Sequence, residues 1–246
     1  MPSVASRPLQ VLAAAVLLAV QPLAVAVAAD GYVTTNEAKL DLIFKQASFG
    51  LTPIDIRFNP SLSIVNAALA SIDSAADWTT LLGLAGNAAS PTVNMYFVDK
   101  VLWCGSPSIT TIGCAMQPGN VIVLNSSWAA NATYGGILAG HELAHNLGLG
   151  HLAPDDGTNL MNPTISTSSF LSGVAPAPPP MVLSQVATIL ASALVQTDAA
   201  GKFIKITPIA VLAAAPIPEP SQWALLLLGG AALAGRACRR HRAAGA

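Results

Sequence analysis

The sequence has few charged residues: Asp, Glu, Lys and Arg make up only 9% of its 246 residues, whereas 53% are hydrophobic. A chain with so little charge and so much apolar side-chain surface is not disordered as a whole. Residues 30–220 contain six basic and twelve acidic residues, so this stretch has a net charge of −6. Because phosphate binding needs clustered Lys and Arg, this balance argues against nucleic acid as a partner.

Cysteine is also scarce, with three in the chain. Cys104 and Cys114 lie ten residues apart in the central region, and Cys238 lies beside a basic C-terminal end. In an oxidising compartment, Cys104 and Cys114 are candidates for a disulfide. Two free thiols are the alternative.

The N-terminal segment, residues 1–29, predicts a signal peptide. Arg7 precedes an apolar run, and small residues follow up to Ala28 and Ala29. This order of charge, apolar run and small-residue cleavage site directs export. An uncleaved membrane anchor is the alternative. We expect cleavage after Ala28 or Ala29 and an exported mature protein.

The C-terminal segment, residues 218–242, has three features in a defined order. Pro218, Glu219 and Pro220 come first, thirteen residues without charge follow at 223–235, and then an Arg-rich end. An apolar helix followed by basic residues keeps those residues on the cytoplasmic side. The order resembles the PEP-CTERM sorting signal of Gram-negative bacteria. A plain C-terminal membrane anchor is the alternative.

That resemblance has consequences for location and partners. It implies an exosortase-type enzyme that removes the tail, and association with the inner membrane through the C-terminal helix before processing. The protein would then be at the cell surface or secreted.

Hydrophobic periodicity predicts alternating helices and strands before residue 125, which suggests a sheet of mixed α/β type with helices following it. The predicted helices are 38–46 and 74–85, and the predicted strands are 54–58, 92–98 and 121–124. Further along, we expect a helix over 184–195 that Ser184 can cap, a final strand over 203–207 and a linker over 208–220.

The most informative motif is H-E-x-x-H-x-x-G-x-x-H, at residues 141–151. On a helix, His141 and His145 lie on one face and can bind one ion, while Glu142 can reach a water on that ion. Gly148 can adopt the left-handed backbone that ends the helix and turns the chain back. His151 then supplies a third ligand. Three imidazole ligands with a fourth position open to water predict a catalytic Zn²⁺ site.

Asp155 and Asp156 leave two alternatives open. Either carboxylate can complete a closed structural zinc site, which would not be catalytic. With Gly157, the pair is also a weak candidate for calcium binding, and a solvated turn is the simpler interpretation. Trp103 and Trp128 are either cleft residues or ordinary core aromatics.

At Met161, within Asn159-Leu160-Met161-Asn162-Pro163, the sequence resembles a metzincin, a family in which a tight turn places a Met beneath the zinc ligands. The segment 113–124 resembles the strand along the substrate cleft in adamalysin-like and matrixin-like members. Pro163 stands where astacins and serralysins have a Tyr, which favours the matrixin and adamalysin side.

The metzincin resemblance implies a fold and an activity. The fold is α+β and zincin-like over residues 30–207, with a mixed twisted sheet, an active-site helix and a smaller C-terminal helical subdomain. The activity is that of a zinc-dependent endopeptidase with Glu142 as general base, acting on a peptide or protein substrate. We expect the substrate to add as a strand beside 121–124 and residues 164–180 to form the wall of a specificity pocket.

Two other functions remain open from the sequence. One is a non-proteolytic envelope or extracellular-matrix protein that retains a zinc-bound metzincin fold. The other is a protease that processes only itself. The intact Glu142 argues against adhesion alone, because a protein without catalysis would be free to change this residue.

Overall fold

A computed structural model describes residues 38–84, 90–131, 133–152, 159–163 and 180–214. The expected signal peptide and sorting signal, with Pro218, Glu219 and Pro220, lie outside the described residues. So do Asp155, Asp156 and most of the expected pocket wall at 164–180. Within the described ranges, no helix combines the length and apolar character needed to cross a membrane.

Helices and strands alternate along the first half of the chain, as predicted. The helices are α1 (38–44), α2 (Ala75–Leu84), α3 (Ser126–Ala129), α4 (Gly135–Asn146) and α5 (Leu183–Leu190). The strands are β1 (Ile54–Phe58), β2 (Leu62–Val65), β3 (Ser71–Ile72), β4 (Thr92–Val98), β5 (Lys100–Val101), β6 (Gly113–Ala115), β7 (Val121–Asn125), β8 (Gln196–Asp198) and β9 (Gly201–Leu212). The predicted strands 54–58, 92–98 and 121–124 and the predicted helices 38–46 and 74–85 are confirmed to within two residues.

The main sheet is mixed and mostly parallel. Its strand order is β1-β9-β4-β7-β6, and β2 and β8 also pair with β9. β9 runs parallel to β1, β2 and β4, and β7 runs parallel to β4, whereas β6 is antiparallel to β7. β6 therefore ends the sheet and is paired on one side only among the described strands.

The two faces of the sheet carry two separate parts of the core. In β4, Val93, Met95 and Phe97 pack with α1, α4 and α5, whereas Tyr96 and Val98 pack on the opposite side with α2. This alternation follows from the two-residue period of a strand. Because both faces are covered, the central strands are rich in apolar residues, as expected for parallel strands.

The C-terminal region differs from the expected helical subdomain, because β9 returns to the middle of the sheet between β1 and β4. We expected a strand that ends at Thr207 and a linker from residue 208, but residues 208–212 lie in β9. Pro208 is tolerated there because β1 pairs with β9 only as far as Ile206 and β2 begins to pair at Ile209. On that side, the missing N–H of Pro208 leaves no ladder position unfilled.

The last helix, α5, begins and ends earlier than predicted. It covers Leu183–Leu190 rather than 184–195, and Val182 is its N-cap, so the prediction of Ser184 as the cap is wrong. The backbone N–H of Val182 donates to the side-chain oxygen of Gln185 at 2.9 Å. This bond satisfies the backbone N–H of the N-cap residue itself.

Candidate metal centre

Helix α4 runs through the core of the protein. It contains His141 and His145, the first two residues of the candidate metal site. It begins after a turn in which the side-chain oxygen of Asn131 accepts the N–H groups of Thr133 and Tyr134 at 2.9 and 3.1 Å. The helix is almost wholly buried and lies close to α1: a β-carbon at Gly140 would stand 2.7 Å from a methyl carbon of Ile43. Small residues on that face therefore allow the helix to approach its neighbour.

Gly148 turns the chain after α4. Its φ angle is 101°, in the region that favours glycine. The N–H of Gly148 donates to the carbonyl of His145 at 2.9 Å, and the N–H of Leu149 donates to that of Ala144 at 3.0 Å. These bonds close the helix end and bring His151 back toward the helix.

The three histidines of the motif converge. Nε2 of His151 lies 3.2 Å from Nε2 of His141 and 3.1 Å from Nε2 of His145. His141 and His145 are buried, whereas His151 is exposed. Together the three side chains form a cluster that can hold a metal ion.

Backbone carbonyls determine which nitrogen of each buried ring is free. Nδ1 of His141 lies 2.7 Å from the carbonyl of Leu160, and Nδ1 of His145 lies 2.7 Å from that of Leu149. A carbonyl only accepts, so each Nδ1 carries the proton and donates it, and a neutral ring then has a lone pair on Nε2. The lone pairs of His141 and His145 both lie beside Nε2 of His151, at 3.2 and 3.1 Å, where a cation can be coordinated. The donor set therefore fits a metal ion.

Burial also keeps the rings neutral. Burial lowers the pKa of His141 to about 4, and it lowers the pKa values of His145 and His151 as well. Only the neutral ring can coordinate a metal. The cluster is therefore ready for a metal at pH values where an ordinary histidine would be partly protonated.

Glu142 is the one carboxyl group beside the cluster among the described residues that line the cleft. It is 5% exposed, and burial raises its pKa to about 8. Gly113 of β6 lies against it: a β-carbon at residue 113 would stand 2.5 Å from Oε1 of Glu142. The carboxyl group therefore lies where α4 meets the edge strand β6.

Met161 is fully buried, in a turn over residues 159–162. The side-chain oxygen of Asn159 accepts the N–H of Met161 at 2.9 Å. Asn159 and Gln185 also exchange two side-chain hydrogen bonds of 3.0 Å. The carbonyl of Leu160 in this turn accepts a hydrogen bond from Nδ1 of His141. By fixing the turn, Asn159 and Gln185 therefore support this histidine indirectly.

The supporting role of Asn159 and Gln185 is not among the predictions from the sequence. A signal for Asn159 was present, because an Asn two residues before a turn residue commonly bonds to its backbone. No comparable signal marked Gln185, whose partner lies 26 positions earlier in the chain.

Asn146 ties the end of α4 to the hairpin of β6 and β7. Its side-chain N–H groups donate to the carbonyls of Met116 and Val121 at 2.8 and 3.0 Å. The hairpin therefore contacts α4 at two points, through these hydrogen bonds and through the close approach of Gly113 to Glu142.

Cys104 and Cys114 are joined by a disulfide. Cys114 lies in β6 next to Gly113, so the bond ties the edge strand to the loop that precedes it. Trp103 packs against Trp78, with 6.1 Å between the ring centroids, whereas Trp128 lines the cleft of the metal site.

The cluster of three histidines opens into a cleft of about 640 Å³. Its lining includes Gly113 and Ala115 of β6, residues that precede β6, and Trp128, Tyr134 and Leu138. The expected addition of a substrate strand beside 121–124 is wrong, because β7 already has β4 on one side and β6 on the other. Among the described strands, the unpaired edge beside the histidine cluster belongs to β6.

Comparison with known proteins found no family model and no curated protein that matches this chain. The geometry of the three histidines and Glu142 therefore carries the functional argument.

Proposed function

We propose that this protein is a zinc-dependent endopeptidase of metzincin type. The observation that carries the proposal is the convergence of the Nε2 atoms of His141, His145 and His151, with two separations of 3.1 and 3.2 Å, beside the buried Glu142. With Zn–N bonds of about 2.0–2.1 Å, the nitrogens of a tetrahedral site lie about 3.3 Å apart. The observed separations are close to this value, and imidazole is a preferred zinc ligand.

Three protein ligands favour a catalytic site over a structural one, because structural zinc sites use four. Zinc bound here supplies a Lewis acid that polarises a peptide carbonyl and activates water. Glu142 accepts a proton from the attacking water and passes it to the leaving amine. Burial raises the pKa of this carboxyl group in the metal-free protein, whereas a zinc ion beside it would favour the carboxylate form that accepts the proton.

The free edge of β6 supports an extended peptide as the substrate. Gly113, Cys114 and Ala115 pair with β7 on one side only, so their other side offers backbone groups for an added strand. Gly113 and Ala115 also line the cleft that contains the histidines. A peptide on this edge would pass the metal cluster in an extended conformation.

We further propose that the enzyme works outside the cytoplasm. The order of features in residues 1–29 supports export, and the tail at 218–242 supports membrane association followed by exosortase-type processing. An exported protein also agrees with a disulfide between Cys104 and Cys114.

The test is hydrolysis of an unfolded protein such as casein by the purified exported protein loaded with zinc. Glu142→Gln should retain zinc and lose at least about 100-fold in rate, since general acid–base catalysis typically contributes this much. His145→Ala should lose both zinc and activity. Asp73→Asn, which changes an exposed carboxylate, serves as the matched control and should cleave normally.

Chelation should abolish cleavage, and added zinc should restore it. A folded, zinc-loaded wild type that cleaves neither casein nor its own tail would contradict the proposal and favour the non-proteolytic envelope protein.

A further inference from the structure

Strand β6 is short and is tied differently at its two ends. It has three residues, Gly113–Ala115, and pairs with β7 alone among the described strands. Beyond its last residue, the carbonyl of Met116 accepts a side-chain hydrogen bond of 2.8 Å from Asn146 of α4. Near its other end, Cys114 is bonded to Cys104 in the loop that precedes the strand. The disulfide therefore secures the end of β6 that contains Gly113.

The loop over residues 105–112 is closed by this disulfide. The carbonyl of Ile112 accepts the N–H of Asn125 at 2.8 Å, which aligns the last residue of the loop with β7. Ile109 is 92% exposed, so the middle of the loop gains little from its packing. Breaking the disulfide gives the loop more conformational freedom, and this favours local opening of a short edge strand. Because Thr110 and Thr111 line the cleft, such an opening also changes the lining of the cleft.

Cys114 and Gly113 connect the disulfide to Glu142. The side chain of Cys114 packs into the part of the core on the α2 side of the sheet, whereas Gly113 lies against Glu142. A β-carbon at Gly113 would stand 2.5 Å from Oε1 of Glu142, so the strand and the carboxyl group are very close. Movement of Cys114 therefore moves the neighbouring residue that confines the carboxyl group.

Cys104 is the more accessible half of the disulfide. It is half-buried and lines the cleft, whereas Cys114 is 4% exposed. The thiolate of a dithiol reductant attacks Sγ of Cys104, which forms a mixed disulfide and releases Cys114 as a thiolate. The second thiol of the reductant then displaces Cys104. Two electrons pass to the protein, the reductant becomes a disulfide, and its two protons end on Cys104 and Cys114.

We propose that the bond between Cys104 and Cys114 is a redox switch, which holds β6 against Glu142 when oxidised and releases the strand when reduced by a dithiol. The switch rests on the proposed endopeptidase function and adds the regulation of the same site. Release of β6 misplaces the general base, so peptide cleavage falls. Zinc stays bound, because the carbonyls that orient His141 and His145 belong to residues 160 and 149, outside β6. Reoxidation by a disulfide compound reverses the exchange.

The first test does not depend on cleavage. Hydrogen–deuterium exchange of the zinc-loaded full chain is measured before and after reduction with a phosphine, which is used because thiol reductants bind zinc. Exchange of residues 104–116 should become at least about tenfold faster, whereas exchange of α4 and the zinc content should not change. Unchanged exchange in 104–116 would overturn the switch, whether or not the protein cleaves peptides.

The second test separates the position of Glu142 from a general loss of stability. Reduction should lower kcat of the wild type by at least about tenfold, because the carboxyl group is misplaced. The residual rate of Glu142→Gln does not use a carboxylate, so reduction should lower it by less than about twofold. Equal fold losses in the two proteins would overturn the switch. Melting temperatures in both redox states verify that the proteins remain folded during the assay.

Cysteine variants complete the test. Cys104→Ser/Cys114→Ser should cleave at the low rate of the reduced wild type, with or without reductant, and Cys238→Ser should respond to reduction as the wild type does. If the double variant keeps the oxidised rate while the reduced wild type is slow, a released thiol on the metal is the cause and the switch is overturned. Faster exchange on reduction, in a wild type that cleaves in neither state, would support the switch and count against the endopeptidase.

Discussion

Gly113 and Glu142 lie so close together that any side chain at position 113 would collide with the carboxyl group. A β-carbon there would stand 2.5 Å from Oε1 and 2.9 Å from Cδ of Glu142. Contacts this short do not occur, so a larger residue at position 113 has to displace the carboxyl group or the strand. Because residue 113 of β6 has no side chain, the carboxyl group of Glu142, the proposed general base, can lie against the strand.

Gly113→Ala should slow peptide cleavage by at least about tenfold and leave the zinc content unchanged, because misplacing a catalytic group by a fraction of an ångström is costly whereas the histidines are untouched. Measurements of kcat, KM and bound zinc on the purified protein test this. The matched control is Gly83→Ala in α2, where a β-carbon would meet nothing within 4 Å. A wild-type rate in Gly113→Ala would mean that the position of Glu142 is not limiting.

Asn159→Ala should weaken zinc binding by about 10- to 100-fold, the usual effect of removing groups that orient a metal ligand. The substitution removes the side-chain bonds that support the turn around Leu160, whose carbonyl accepts the Nδ1 proton of His141 at 2.7 Å. Competition with a chelator measures the affinity.

Asn120→Ala is the control for that experiment. Asn120 is also buried, but its side chain donates only to the carbonyls of Ser90 and Thr92. We expect this variant to lose stability without a change in zinc affinity. Equal zinc affinities in Asn159→Ala and wild type would exclude a positioning role for Asn159.

In the metal-free protein, Glu142 should lower the free energy of unfolding as the pH rises. Burial raises the pKa of this group to about 8 from an ordinary value of 4.5, so the folded state holds a proton that the unfolded state releases. The stabilising contribution is therefore complete below about pH 4.5 and is lost as the pH rises toward 8.

Glu142→Gln removes this titration and leaves the histidines in place. Relative to the wild type, its free energy of unfolding should increase between about pH 5 and pH 8, as measured by denaturant unfolding in the presence of a chelator. A difference between the two proteins that does not vary with pH would contradict the assignment.

The double variant Cys104→Ser/Cys114→Ser should lower the free energy of unfolding by about 3 kcal/mol, the chain-entropy value for a loop of this length. The two cysteines are ten residues apart. Denaturant unfolding without reductant measures the effect, and Cys238→Ser, which changes the C-terminal tail, is the control. Two titratable thiols at positions 104 and 114 in the exported wild type would show that the bond does not form.

Much of the site was predictable from the sequence because its first part is local. The four-residue spacing of His141 and His145 places both rings on one face of any α-helix, and Gly148 permits the turn that brings His151 back. In β4, the two-residue period of a strand similarly places Val93, Met95 and Phe97 on one face. Such patterns depend only on the period of the helix or strand, so no distant partner has to be known.

The tertiary structure decided the contacts between segments that are far apart in the chain. His141 receives its supporting carbonyl from Leu160, and Glu142 is limited by Gly113, at separations of 19 and 29 residues. β9 joins the centre of the sheet although Pro208 predicted an earlier end to the strand. Backbone groups of almost any sequence can form these hydrogen bonds and close approaches. Periodicity therefore shows which face a residue occupies, and only the packed fold determines which residue lies opposite it.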